Sequence, residues 1–469
     1  MAVIPLDAAS AKPLYLQLYS HYRADIEQRR LTAGEKLPSI RSLAKSLGIS
    51  KITVEKAYQQ LLSEGYIESG NRSRHIVCQM EDTAAFRPEP PRLARPETSD
   101  AARLGTVDYD FSSGEMDREG FDFALWKRYV NKAFRYQDRL TGYGTPQGEG
   151  ELRREIARYI RASRGVEACA GQIIVAPGVQ SLLNILCSLL KSSQNRIAFE
   201  EPGFKNGRRI FADHDFAILP VAMSRDGIDM IQLGRTEAKL LYISPSHQFP
   251  TGHIMPIGKR LQLLSWAERN DALLIEDDYD SEFRYIGRPI PALKGLDKNG
   301  QVIYLGSFSK IIPPAIRISF MVVPDRLMPK YEENISLYNQ TASTLEQMAL
   351  ALFMADGHLD RQVRRLRKRY HEKSLLFYQA LQSIMGDRII VNPSDSGLYT
   401  SLTVKTDVTE QELVKRALAR RCAVAAMSDY YWDKGETQSE FPRVILYFSK
   451  IPANELGKAI GLLRDAWFS

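Results

Sequence analysis

At 469 residues the chain is too long for one compact core, so two or three domains are expected. Its 44% hydrophobic and 25% charged residues match an ordinary globular protein and exclude global disorder. The formal net charge of +7 leans toward a polyanionic partner, and residues 1–78 sharpen that lean by holding eleven Lys and Arg against seven acids.

The four cysteines, Cys78, Cys169, Cys187 and Cys422, are scattered without a Cys-x-x-Cys pair. They read as buried thiols in a reducing compartment, and neither a metal site nor a disulfide framework is expected. There is no basic leader ahead of an apolar core, and no run nears the roughly 18 apolar residues needed to cross a bilayer. The expectation is a cytosolic protein without a membrane partner.

In chain order, Leu14, Leu18, Tyr22 and Ile26 recur every four residues and predict an amphipathic helix. After Gly34 and Pro38, Ser39 caps a second, short helix containing Leu43, Ala44 and Leu47, and Gly48 permits a sharp turn. Ser50 caps the next helix, which carries Val54, Ala57, Tyr58, Leu61 and Leu62 inward and leaves Lys51, Thr53, Lys56 and Gln60 outward near its start. Polar residues at the head of the second helix of such a pair are where a major-groove reader needs base and phosphate contacts. Gly65 ends that helix. The following GYIESGNRSRHIV predicts two short strands around Gly70 and Asn71, with Arg72 and Arg74 as a basic wing for phosphate.

The stretch GEKLPSIRSLAKSLGISKITVEKAYQQLLSEGYI resembles the winged helix-turn-helix of the GntR superfamily, over roughly residues 12–78. The resemblance implies double-stranded DNA as partner, with contacts from Arg41, Lys51 and Thr53. Two departures stand out: Lys51 and Ile52 replace a common Arg-Asn, and the wing is not glycine-rich.

Residues 79–107 read as a linker, since Pro88, Pro90, Pro91 and Pro96 favour an extended path. From about Asp108, helical patterns alternate with β-rich runs at 173–178, 196–203, 239–245, 272–278 and 302–310. Such alternation predicts a mainly parallel α/β sheet.

Several residues around these strand ends have the chemistry of a pyridoxal phosphate site, which needs an amine, a carboxylate for the ring nitrogen, phosphate donors and a stacking ring. Lys310 follows VIYLGSFS and would emerge at the carboxyl end of a strand, where open α/β sheets bind ligands. Ser307 and Arg317 suit a phosphate, and Gly178, Val179 and Gln180 begin an apolar helix whose first amides add to the same cradle. Asp277, at the end of the strand ALLIE, is the expected partner of the ring nitrogen. Tyr279 would bond the phenolic oxygen of the cofactor, and Phe204, after EEPG, would stack on its ring.

Residues 108–469 resemble fold-type I aminotransferases through YGTPQGEGELRREIARYI, VAPGVQSLL, EEPGF, SPSHQFPTG, IEDDYDSEFRY, SFSK with Arg317, and PRVILYFS. Joined to a GntR-like reader, this is similar to the MocR/GabR family of pyridoxal phosphate-dependent regulators. The resemblance implies a head-to-tail homodimer, Lys310 as the Schiff-base lysine, and Arg443 as anchor for the carboxylate of a small amino-compound effector. Phe249 stands where the family's aminotransferases carry a cofactor-bonding Asn, and His247 is either a neighbour of the ring or a structural histidine. The expected protein is a transcriptional regulator with a winged helix-turn-helix and an α/β aminotransferase-like domain, sensing an amine through external aldimine formation without physiological turnover. Two alternatives stay open: a working aminotransferase tethered to DNA, and a regulator for which pyridoxal phosphate itself is the signal.

Overall fold

The computed structural model describes all residues except 1–3, 8, 71–73, 80–106, 192–193, 225, 288–289, 339, 393–395 and 434–438. The predicted linker and Arg72 therefore lie outside the described residues. Chain contacts divide the molecule into two compact units, Met1–Ser99 and Asp100–Ser469.

The first unit is three helices and a hairpin: α1 (Leu14–Glu27), α2 (Ile40–Leu47), α3 (Lys51–Ser63), β1 (Ile67–Gly70) and β2 (Arg74–Val77). Both predicted serine caps form. Ser39 accepts from the Ser42 amide and Ser50 from the Thr53 amide, each satisfying one of the amides a helix start leaves orphaned. Gly48 closes α2 in the left-handed conformation at φ 64°. The core unites Leu18, Tyr22 and Ile26 of α1, Leu43 and Ala44 of α2, and Val54, Ala57, Tyr58 and Leu61 of α3. Tyr58 buries its ring and donates its hydroxyl to the Pro38 carbonyl, which ties α3 to the start of α2. In the hairpin, Ile67 pairs with Val77 and Gly70 with Arg74, antiparallel.

In the second unit we label helices of eight residues and more. Those used below are α4 (Phe123–Ala133), α5 (Gly150–Arg164), α6 (Val179–Leu190), α7 (Lys205–Asp213), α8 (Ile257–Arg269), α9 (Thr344–Ala355), α10 (His358–Met385), α11 (Glu410–Ala419) and α12 (Leu456–Phe468). Its main sheet contains β4 (Ile173–Ala176), β5 (Arg196–Glu201), β6 (Ala217–Ser224), β7 (Gly227–Ile228), β8 (Leu240–Ile243), β9 (Leu273–Asp278), β10 (Val302–Ser307) and β11 (Ser319–Val322), in the order β4-β11-β10-β9-β8-β5-β6-β7. Strands β10, β9, β8, β5 and β6 run parallel, while β11 is wedged antiparallel between β4 and β10. The five predicted β-runs all become strands of this sheet; β6, β7 and β11 are additions that the sequence reading did not single out.

Strands β4, β8 and β9 are buried along their whole length. Apolar clusters from helices lie against both faces, and that is why β4, β8 and the first half of β9 are continuously rather than alternately apolar. A second, antiparallel sheet is formed by β12 (Ile389–Asn392), β13 (Tyr399–Val404), β16 (Arg443–Tyr447) and β15 (Ala425–Ala426), and packs with α10, α11 and α12 around a separate core. A short parallel pair joins β3 (Tyr109–Asp110) to β14 (Cys422–Ala423).

All four cysteines are free. Burial holds for Cys187 and Cys422, but Cys169 is exposed and Cys78 half-buried, which corrects the expectation of four buried thiols. Cys169 lies just before β4, in the connection from α5, where no second layer covers it.

Candidate functional site

The carboxyl ends of the parallel strands converge on one cleft. It is lined by Val179, Phe204, Phe249, Asp277, Tyr279, Asp280, Ser307, Ser309, Lys310, Leu398 and Tyr447, and its empty volume is about 700 Å³. Six of the nine residues predicted for the cofactor line it directly: Val179, Phe204, Asp277, Tyr279, Ser307 and Lys310.

Lys310 sits three residues past the end of β10, and its Nζ donates to the Gly114 carbonyl at 2.5 Å. Burial lowers its pKa below the ordinary lysine value, against the opposing pull of Asp280 and Glu115. A lysine so placed holds a larger share of neutral, nucleophilic amine. On the neighbouring strand Asp277 is buried and accepts from the Tyr242 hydroxyl at 2.6 Å. Burial pushes its pKa up to about 7, with Asp278, Asp280 and Glu276 adding repulsion that the Tyr242 bond only partly offsets. A protonated ring nitrogen beside it is the kind of partner that restores the carboxylate form. The Tyr242 ring stacks on Phe199 and Phe204, at centroid distances of 4.9 and 6.0 Å. The carboxylate and the candidate stacking ring are thus held by one tyrosine.

The anion cradle is built at the start of α6. Gly178 is the N-cap and offers no side chain to the first amides, so those of Val179 and Gln180 are left to an external acceptor. Its φ of 107° suits glycine, and a Cβ there would meet the Arg317 guanidinium at 2.6 Å. Arg317 itself is in left-handed geometry at φ 58° and donates to the Pro177 carbonyl at 2.8 Å. Ser307 Oγ lies 3.0 Å from both Ser309 Oγ and Ser319 Oγ. The sequence reading missed Ser309, which lines the cleft between Ser307 and Lys310. Amine, carboxylate, ring and anion cradle are therefore together on one side of the sheet, and the residues present fit pyridoxal phosphate.

The opposite wall was largely unforeseen. His247 is buried and its Nδ1 lies 2.9 and 2.8 Å from the two oxygens of Asp280. The Tyr279 hydroxyl, expected to bond the phenolic oxygen of the cofactor, is 3.2 Å from His247 Nδ1 and 3.1 Å from the Tyr399 hydroxyl. Phe249 packs edge-on against Tyr279, Tyr399 and Tyr430. In place of an amide, this position presents an aromatic wall, continuous with Tyr447 on β16. Gly397 makes the close packing possible, since a Cβ there would stand 2.1 Å from His247 Cε1. A signal for this network was in the sequence, as Asp280 follows directly on IEDDY, but nothing local pairs it with His247.

Arg443 is not among the residues lining the cleft. It opens β16 opposite Thr403, four residues or roughly 13 Å of strand before Tyr447. Its guanidinium donates to the Tyr431 hydroxyl at 2.7 Å, and its Nε is buried without a hydrogen-bond partner.

On the first unit, Arg41, Lys51 and Arg74 are exposed. So are Lys45 and Lys56, one turn beyond Arg41 and near Lys51 respectively. Thr53 is half-buried, and its hydroxyl lies 2.8 Å from Ser50 Oγ, inside the cap of α3. Neither unit has, among the described residues, a helix long and apolar enough to cross a membrane, nor a cluster of His, Cys, Asp and Glu able to hold a metal.

Comparison with known proteins agrees with both halves. Residues 14–77 match the family of bacterial regulatory proteins, gntR family, and residues 107–441 match aminotransferase class I and II. Among solved structures, a multiple substrate aminotransferase from Thermococcus profundus superposes with a TM-score of 0.70 at 22% identity, covering 82% of this chain and 98% of that one. A gntR-type reader followed by an aminotransferase-like domain defines a class of DNA-binding transcriptional regulator. The chain belongs to that class, the MocR/GabR family. It is 37% identical over 463 residues to the uncharacterized HTH-type transcriptional regulator YhdI of Bacillus subtilis (strain 168), covering 98% of this chain and 97% of that protein. It is also 32% identical over 478 residues to the probable rhizopine catabolism regulatory protein MocR of Rhizobium meliloti, covering 100% and 96%.

Proposed function

We propose that this regulator holds pyridoxal phosphate in the cleft at Lys310, binds operator DNA through the first unit as a homodimer in the cytosol, and responds to a small amino compound. The observation that carries the reading is the convergence of Lys310, Asp277, Phe204 and the uncapped start of α6 on one side of the sheet. Each supplies a different recognition element, and they come from four separate stretches of the chain: the end of β9, the segment after β10, and the starts of α6 and α7. When bound, the cofactor supplies an aldehyde carbon for which the Lys310 amine and an effector amine compete. Asp277 holds the ring nitrogen, Phe204 covers the ring, and the amides of Val179 and Gln180 with Ser307, Ser309 and Arg317 hold the phosphate. Tyr279 and the His247–Asp280 pair face the remaining edge.

Arg443 is the proposed anchor for an effector carboxylate, through the donor that Tyr431 does not use. Release of Lys310 on effector binding changes what the amine contacts, and regulation follows only if the effector binds the two resulting arrangements with different affinity.

The test is to load the purified chain with pyridoxal phosphate, reduce it with borohydride, and map the modified peptide. Covalent attachment at Lys310, lost in Lys310→Ala, is expected. Duplex DNA binding should then change with a primary amine in the wild type and not in Lys310→Ala. If pyridoxal phosphate alone sets DNA affinity, the cofactor is the signal. Rapid conversion to the amine form by an amino acid donor makes the large domain an enzyme. Arg443→Met should weaken a carboxylate-bearing effector and leave a plain amine unaffected.

A further inference from the structure

We propose that Ile52 reads the C5-methyl group of thymine in the major groove, so that the half-site of this regulator carries thymine opposite the first turn of α3. The proposal rests on the DNA-reading role of the first unit and adds the base feature that is read.

Ile52 is the second residue of α3 and is 64% exposed. The side of α3 that enters the core is made by Val54, Ala57, Tyr58 and Leu61, and Ile52 belongs neither to that core nor to the apolar residues packed against it. Helix propensity does not account for it either, because a β-branched residue is a poorer helix former than the straight-chain polar residues that suit an exposed first turn. The fold thus gains nothing from an isoleucine here.

Its surroundings are those of a polyanion-facing surface. Lys51 precedes it, Lys56 follows one turn on, and Arg41 and Lys45 are exposed along α2, the preceding helix of the pair. Within the first turn the available chemistries are divided. Thr53 has its hydroxyl drawn into the Ser50 cap. Lys51 is a mobile point charge suited to phosphate or to a guanine edge. Ile52 has only apolar contact to offer.

In the major groove the apolar feature of a base edge is the thymine methyl; every other edge presents donors and acceptors that lose water if pressed against an isoleucine. An exposed isoleucine at the head of a reading helix therefore favours thymine by contact and disfavours guanine, adenine and cytosine by desolvation.

The experiment selects sites from a random duplex library with the full-length chain, then replaces each thymine of the selected half-site by deoxyuridine, which removes the methyl alone. For the wild type, one or two positions should lose about three- to tenfold in affinity, the size of one or two buried methyl groups. Ile52→Val should keep that penalty at those positions. Ile52→Asn, at an exposed site where folding is unaffected, should bind thymine and deoxyuridine duplexes equally. The proposal is overturned if the wild type is indifferent to deoxyuridine throughout the half-site, or if Ile52→Asn shows the same penalty. Enrichment of no duplex at all would overturn the DNA-reading role of the unit, and this proposal with it.

Discussion

The two units carry function in opposite ways. On the first, the candidate groups other than Thr53, which is drawn into a helix cap, are exposed and separate from one another: Arg41, Lys51, Ile52 and Arg74 share no hydrogen bond, and the core lies behind them. In the second, the candidate groups are sunk at strand ends and bonded to each other, as in the Tyr242–Asp277 pair and the Asp280–His247–Tyr279–Tyr399 chain. A surface of independent contacts can change specificity one residue at a time. A buried network cannot, because each member fixes the position or charge of the next.

The largest effect that tests this contrast is at Asp277. Asp277→Asn removes the charge that a ring nitrogen needs while keeping the shape, and breaking such a buried pair costs about 3–5 kcal/mol. Cofactor affinity, measured by fluorescence titration, should fall at least about a hundredfold. Tyr242→Phe alone should cost less, and the double variant should cost less than the two single effects added, since both act through one carboxylate. Arg41→Ala and Lys51→Ala, by contrast, should add in their effect on DNA binding. Additive behaviour at Asp277 and Tyr242 would break the comparison.

Next in size is Gly178→Ala. The substitution meets both a φ of 107° and the Arg317 guanidinium, so it should disturb the anion cradle and not the sheet beneath it. An affinity loss of about tenfold for pyridoxal phosphate is expected, with a much smaller loss for pyridoxal, which lacks the phosphate. Equal losses for both would place the damage elsewhere.

A cap comes next. Ser50→Ala removes the acceptor for the Thr53 amide and frees the Thr53 hydroxyl, at a cost of about 1 kcal/mol. Because α3 displays Lys51 and Ile52 together, affinity for all duplexes should drop together by a few-fold, without the change in base preference expected of Ile52. The cofactor site should be untouched.

What the sequence made legible follows the same division. Ser39, Gly48 and Ser50 act within four residues of themselves, so caps and turn could be read directly, as could the apolar period of Leu18, Tyr22 and Ile26. Strand ends were equally readable, and with them Lys310 and Asp277, because a continuous apolar run stops at a polar residue only once. The partners of those residues were not readable. Tyr242 lies 35 residues from Asp277 and His247 lies 33 from Asp280, and such pairings exist only once the parallel strands are aligned. Nor could the insertion of β11 between β4 and β10 be read, since a four-residue strand with three apolar residues carries no sign of its direction. Arg443 shows the limit of motif reasoning: the motif around it was legible, while its place at the start of β16 and its engagement with Tyr431 depend on packing that no local pattern encodes.

The smallest effect concerns pH, where the units differ in sign. In the large unit burial raises the pKa of Glu276, Asp277 and Glu282 to about 7 and of Glu200 to about 8. Their unfolded values are near 4, so between pH 4 and 8 the folded chain binds more protons than the unfolded one. Stability must then fall as pH rises through that window. In the first unit Glu27 and Glu64 are shifted down by hydrogen bonds, from Arg23 and Tyr19 respectively, so their contribution is complete above their unfolded values and is lost only in acid. The four tryptophans, Trp126, Trp266, Trp432 and Trp467, all fall in the second unit and report its unfolding alone. Between pH 5.5 and 8 the melting temperature seen by tryptophan fluorescence should drop by about 2–5 °C, while melting of the isolated residues 1–78 should rise slightly, because burial lowers the His75 pKa and the unfolded chain takes up that proton first as pH falls. Pyridoxal phosphate should reduce the slope in the full chain, because Asp277 beside a protonated ring nitrogen no longer resists ionisation. A slope unchanged by the cofactor, with binding intact, would mean that Asp277 is not the group that meets it.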